Sequence, residues 1–425
     1  MSYSHHLQKN SGIIDPLILD TLVGSSYFVY KGYSTTKNYF IARRDIAPAE
    51  AAPTWGGKSS FKIPIIADKV GPIQLLFTLP PIVPQVQGAT PAAVNPRWQD
   101  FIGYVAWERI ELIYATQEIY TLFPEDCWFK YRRFYREDQK EAIATLIRGD
   151  LTVPQRINDA LAPLEIIVDL PLPHTRSMNR WIELMQLSHE IRVEVTWKNL
   201  NNLVQDDNGG GYDPTQVLTN VLLKATYVHV DGDERDFYTM STENENGIIK
   251  LIDDFKMEKY IVPTGTPFGE YRIKINNFRS STKIFKFIIR RWSLTQQNEM
   301  TGNRYFDQLQ GPIDIPGTIY TIKYWYLEGA DGRIMEPVSD RYNRYYLHMM
   351  YHNSPPSTCF YEWSFAMNPD DPNNGTGTYN FGNTTNLTLV IYFNQQLAEP
   401  LEITMAVNEY NTIQQVRGDM MKNFK

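Results

Sequence analysis

The chain has 425 residues, 13% of them aromatic, with 26 prolines, 25 glycines and a formal net charge of −7. No global basic field marks it for nucleic acid, and Cys127 and Cys359, far apart and outside any ligand spacing, imply neither a disulfide framework nor a zinc site and fit a reducing cytoplasm. The chain is longer than one core normally fills, and aromatics with scattered Pro and Gly suit many short strands. No uninterrupted apolar run reaches about 18 residues, and MSYSHHLQKN lacks the apolar centre of a signal peptide, so the sequence reads as neither exported nor membrane-spanning.

Residues 1–35 hold short apolar islands (Ile13, Ile14, Leu17, Ile18, Leu19, Leu22, Val23) with no sustained period, and read as an arm that packs on something else. Strands begin at Phe61 with FKIPIIAD, PIQLLFTLPPIV and IGYVAWERIELIYATQEIYTLF. In the last of these Trp107, Ile110, Leu112 and Ile119 form a long ladder broken at Ala115-Thr116-Gln117, where a hairpin turn is expected. An aromatic run from Trp128 to Tyr135 precedes EDQKEAIATLI, whose helix formers and apolar spacing at Ala142, Ile143, Leu146 and Ile147 make it the best helix in the chain.

Leu164 to Leu200 then gives an apolar strand, the Pro171-Leu172-Pro173 corner and the alternating strand IRVEVTW. Polar Gln205 to Pro214, with glycines at 209–211, reads as a loop or the interdomain connection. VLLKATYVHVDGDERDF at 221–237 is followed by YRIKINNF, KIFKFIIRRWSL and TIYTIKYWYLEG. The last segment, CFYEWSFAMNPDDPNNGTGTYNFGNTTNLTLVIYFNQQLAEPLEITMAVNEYN, is a strand, a polar turn and two more strands. Tyr361, Trp363 and Phe365 alternate with Glu362 and Ser364, which places Trp363 inward and Glu362 outward.

WSFAMNPDDPNNGTGTYNF followed by AVNEYNTI resembles the C-terminal jelly roll of the double-jelly-roll major capsid proteins of nucleocytoplasmic large DNA viruses. Leu187-Ser188-His189-Glu190-Ile191 is similar to that family's Leu-Gln-Tyr-His-Glu-Val segment. Asp231-Gly-Asp233-Glu234-Arg235-Asp236-Phe237 is similar to its Asp-x-x-Glu-Arg-x-x-Phe tag, with the aromatic one place early. The chain departs from the family at His174-Thr175-Arg176, where the family has Phe-Trp-Phe, and at Tyr114 to Gln117, where it has glycines. The resemblance spans about residues 100–415.

The resemblance implies an all-β fold of two antiparallel eight-stranded jelly-roll sandwiches in tandem, with short helices in loops. The expected division is an N-terminal arm at 1–35, a first jelly roll at 36–215 and a second at 216–425. The implied role is a structural one, a major capsid protein whose homotrimers form pseudo-hexagonal capsomers that tile an icosahedral shell. Implied partners are neighbouring capsomers, minor capsid or cement proteins and a penton protein, with an inner membrane reached through partners and no direct nucleic acid. Implied localisation is the virion shell, assembled in the host cytoplasm. A related scaffold that forms a transient lattice during assembly is the nearest alternative. A β-sandwich enzyme or lectin is the competitor of a different class.

Catalytic, cofactor and metal sites are not expected. Ala52 to Ser59 fits a relaxed phosphate-loop pattern, but Ala-Pro-rich sequence precedes it and β-patterned FKIPII follows, where a phosphate loop needs a strand and a helix. Asp231, Asp233 and Glu234 begin like a calcium loop, yet Asp236 and Thr242 stand where that loop needs Gly and Glu. His348 and His352 read as strand residues too far apart for joint ligation; His174, His189 and His229 lack ligand partners in sequence. Asp253-Asp254 and Asp370-Asp371 read as solvated carboxylates. Sequons at Asn374, Asn383 and Asn386 mark an exposed turn and are the candidate glycosylation sites, although their use by a glycosyltransferase is not expected of a sequence that shows no secretory signal.

Overall fold

The computed structural model describes residues 39–49, 53–82, 96–133, 135–175, 177–205, 212–213, 215–292, 322–351, 360–369, 371, 375–397 and 400–423. The expected arm at 1–35 lies outside them, as do Ala52, most of the 205–214 loop, His352, Cys359, Asp370 and Asn374.

The first sandwich is built from β1 (Tyr39–Ile46), β2 (Lys58–Ile63), β3 (Lys69–Leu79), β4 (Trp107–Tyr114), β5 (Gln117–Leu122), β6 (Leu164–Leu170), β7 (Ile182–Glu183), β8 (Ile191–Trp197) and β9 (Thr219–Val230). One sheet runs β1-β9-β3-β6, with β7 also on β3, and the facing sheet runs β2-β8-β4-β5. Both are antiparallel. Alternation sets the core between them: Ile73, Leu75, Phe77 and Leu79 of β3 and Ile191, Val193 and Val195 of β8 are fully buried. Each such side chain contributes about 1.5–3 kcal/mol of transfer free energy.

Between these strands lie α1 (Pro124–Arg133), α2 (Glu137–Ile147) and α3 (Val153–Ala160). The helix expected over EDQKEAIATLI is α2, with the same ends. The turn expected at Ala115 is a tight hairpin between β4 and β5, with Ala115 itself at φ 53°.

Strand β9 requires a correction to the chain order read from sequence. It was expected to open the second sandwich, but it pairs along its length with β1 and β3 of the first. The strand ends at Val230, and the DGDERDF tag that follows is the start of α4 (Gly232–Glu243), whose first amide is capped by the Asp231 carboxylate.

The second sandwich comprises β10 (Ile248–Val262), β11 (Gly269–Lys274), β12 (Ser281–Arg291), β13 (Ile322–Gly329), β14 (Phe360–Ser364), β15 (Thr388–Phe393), β16 (Leu401–Val416) and β17 (Asp419–Lys422). One sheet runs β10-β16-β12-β14, with β17 extending β16; the facing sheet runs β11-β15-β13. Phe285, Phe287, Trp325, Leu389, Ile391, Ile403 and Met405 fill its core.

The β10-β16-β12-β14 sheet is buried on both faces. Its second face, carrying Ile252, Phe255, Ile288, Phe360 and Ala406, joins the hydrophobic cluster of the first sandwich. Two-face burial explains why this sheet's strands combine apolar residues with a polar set that solvent does not reach.

Candidate functional site

For a chain of this build the informative site is the seam where the two sandwiches meet, and α1 forms one wall of it. Pro124 opens the helix, Glu125 and Asp126 occupy its first turn and Lys130, Arg132 and Arg133 its last, which suits the helix dipole at both ends. The helix is nonetheless almost wholly buried. Phe129 packs on Phe360 and Phe255 with ring centroids 5.2 and 6.3 Å apart.

Charged side chains pair across the seam. Arg133 Nη1 lies 3.2 Å from Glu362 Oε2, and Lys259 Nζ lies 3.0 Å from Glu125 Oε1. Arg290 reaches Glu125 at 3.8 Å and also pairs with Glu402 of its own sheet. Asp126 accepts from Lys130 Nζ at 2.7 Å and from the Tyr120 hydroxyl at 3.0 Å, and Lys286 approaches it at 4.0 Å. Lys286 Nζ also stands 4.4 Å from the Phe129 ring centroid, a cation over an aromatic face.

Burial acts strongly on Lys286 and on Lys198, a loop residue after β8 that feels the charges of Glu125, Lys259 and Arg290. Desolvation pulls the Lys286 ammonium down to about 7, with Arg133 and Lys130 adding to the fall and Asp126 and Glu362 opposing it. Lys198 falls to about 7 for the same first reason, with Glu125 opposing.

The outward assignment of Glu362 is therefore overturned. The residue is 4% exposed; besides the Arg133 pair, its backbone exchanges hydrogen bonds with the Asn343 side-chain amide at 2.5 and 3.1 Å. Trp363 is only half-buried at the edge of the second core, and Tyr361 is the aromatic that this strand buries in that core, stacked on Phe287 at 4.8 Å with its hydroxyl donating to Asp340. The Asp253-Asp254 pair is corrected likewise. Both lie in β10 and are buried, Asp253 against Lys283 at 2.8 Å and Asp254 against Lys422 at 2.8 Å.

A second join is made by the hairpin at Gly418. Its carbonyl accepts from the Tyr114 hydroxyl at 2.5 Å and from the Ser188 amide at 2.8 Å. A Cβ on Gly418, at φ +88°, would stand 2.1 Å from Ser188 Oγ. A side chain here would have to displace the Ser188 hydroxyl and hold a left-handed backbone that favours glycine.

The remaining candidates are dispersed. Lys58 begins strand β2, not a helix, and lies 3.6 and 3.7 Å from Glu111 and Glu194 on neighbouring strands, so the phosphate-loop geometry is not built. His348 stands in a helical turn, where a strand had been expected. His174 is buried, His189 meets Tyr114 edge-on at 5.9 Å and His229 stacks on Phe40 at 4.3 Å. Among the described residues no group of three His, Cys, Asp or Glu side chains could hold a metal ion, and no helix is long and apolar enough to cross a membrane. Asn383 and Asn386 are exposed, the latter at φ 55°. Asn383 borders a shallow polar depression of about 330 Å³ with Asp331, Arg333, Tyr379 and Asn380.

No protein-family model matches the sequence, and no curated protein matches it closely enough to count as a relative. Solved structures do match. VP54 of the virus PBCV-1 superposes with a TM-score of 0.72 over 94% of this chain and 100% of its own, at 14% identity. The Faustovirus major capsid protein gives 0.74 over 97% and 96% at 10% identity, and the mavirus major capsid protein gives 0.52 over 96% of both chains at 9%. The two sandwiches joined along a buried seam are thus the double jelly-roll fold that the major capsid proteins of large DNA viruses share.

Proposed function

We propose that this chain is the major capsid protein of a large icosahedral DNA virus, with a mechanical function. The observation that carries the reading is the seam: buried ion pairs, α1 and the two-faced β10-β16-β12-β14 sheet lock two sandwiches into one block. A building block for a flat facet needs that stiffness, because a hinge between the halves would let a tile bend. Three such two-lobed blocks give a six-lobed outline, and outlines of that shape fill a plane.

On this reading the first jelly roll ends with β9 and the second begins beyond α4, some 30 residues later than the boundary placed at 215/216. The chain would sit in the virion shell among neighbouring capsomers, minor capsid or cement proteins and pentons. The exposed turns around Asn383 and Asn386 would be surface decoration, and the reading requires no sugar on them.

Light scattering coupled to gel filtration tests the proposal. A homotrimer near three times the 49.3 kDa chain mass is expected, with six-lobed particles in negative stain. A strictly monomeric species under gentle conditions would overturn it.

A further inference from the structure

Helix α4 is amphipathic in the unusual sense. Its polar face is turned to the protein: Arg235 donates to Asp68 at 2.6 and 3.1 Å, and Lys69 stands over the Tyr238 ring at 3.7 Å. Gln186 bridges Thr239 and Thr242 at 2.9 and 3.3 Å. The Arg417 amide, at the β16-β17 hairpin, donates to the Thr242 carbonyl at 2.9 Å. The helix is therefore clamped to both sandwiches.

Its opposite face carries Asp233, Asp236, Phe237, Met240 and Glu243, all exposed and spaced by three or four residues along one side. Phe237 is 64% exposed and Met240 68%. Burial against the body cannot be what keeps these two apolar side chains there, and carboxylates flank them on both sides. An apolar stripe with an acidic border complements an apolar segment bordered by cations.

We infer that the outer face of α4 is a docking surface for a cationic amphipathic segment of a partner protein, with Phe237 and Met240 as its apolar anchors. The inference deepens the capsid reading and rests on it for the idea that the chain works docked to other proteins. Arg235, Tyr238, Thr239 and Thr242 fix the helix, so binding needs no rearrangement of the block.

The test uses the full chain and a short amphipathic helical peptide of leucine and lysine, with a leucine and glutamate peptide as control, read by fluorescence anisotropy. Saturable binding of the lysine peptide alone is expected, about tenfold or more weaker for Phe237→Ser/Met240→Ser. Asp233→Asn/Asp236→Asn should flatten its salt dependence. Met240→Lys, which adds a charge at an exposed site, gives an independent loss should the double variant fold poorly. Absence of binding, equal binding by the Phe237 and Met240 variants, or equal binding of the glutamate peptide would overturn the inference. So would a changed oligomeric state in those variants, which would assign the face to a second copy. Mass measured on the same samples separates the two readings: a trimer that ignores the peptide sinks this inference alone, and a monomer sinks the capsid reading.

Discussion

Arg133 and Glu362 are 229 residues apart in the chain and meet at 3.2 Å in the seam, with side chains only 2% and 5% exposed. The pair joins the last turn of α1 to the edge strand of the second sandwich's inner sheet. Two charges this deep hold their position only while both are present.

Glu362→Ala should therefore cost about 3–5 kcal/mol, because it removes one partner of a buried ion pair. Replacing both partners, as Arg133→Met/Glu362→Leu, should recover most of that loss, since a well-packed apolar pair avoids desolvating two ions. Chemical denaturation of the single and double variants closes the cycle. A loss under about 0.5 kcal/mol for Glu362→Ala would place the residue in solvent, as a surface change does.

The same residue shows where sequence reading stopped. Period-2 alternation correctly gave β14, β15 and β16, and it put Tyr361 inward. Alternation reports that the two faces of a strand differ, but it does not say whether the polar face meets water or another polar surface. Glu362, Lys286 and Thr404 look like solvent residues in sequence and are buried on the face of the sheet turned to the seam, and Asp253 is buried against Lys283. Three further helices carry start signals in the sequence. Pro124 followed by two acids, and Asp231 before DERDF, are start signals for α1 and α4; at α3 the Thr152 amide is capped by Gln155 at 2.9 Å, a Thr-x-x-Gln signature. The strand membership of β9 was not legible, because pairing with β1 and β3 is a long-range choice that no local pattern encodes.

Two turn residues should respond in opposite directions to small substitutions. Ala115 holds φ 53° in the β4-β5 hairpin, a conformation that costs a side-chain-bearing residue about 1–2 kcal/mol. Ala115→Gly should raise the melting temperature, offset in part by the extra freedom glycine has in the unfolded chain. Gly418→Ala should lower it, since the new methyl would meet Ser188 Oγ at 2.1 Å. Thermal melts that moved together would refute the assigned backbone conformations.

Trp363→Ala should be milder than a core truncation. Trp325 is fully buried beside Phe285 and Phe287, so Trp325→Ala should cost about 3–5 kcal/mol. Trp363 is half-buried at the rim and forfeits less transfer energy and leaves less of a cavity. A larger loss at Trp363 than at Trp325 would mean the rim is covered in the native assembly, which the same comparison at dissociating concentration would reveal.

The seam should also make stability depend on pH in the neutral to alkaline range. In the folded chain burial holds Lys286 and Lys198 near 7, against an ordinary lysine value of 10.5. Between those two values the unfolded chain binds protons that the folded chain has released, so unfolding takes up protons and stability rises with pH. Below about 7 both states are protonated and this contribution is flat, leaving a constant desolvation cost; above 10.5 both are neutral and it is flat again. Denaturation midpoints should therefore climb from pH 7 towards 9. Lys286→Met, which removes one titrating group while keeping its length, should reduce the climb and raise stability most at pH 7, where the ammonium costs most. A climb of unchanged slope in Lys286→Met and in Lys198→Met would show that neither lysine is the source.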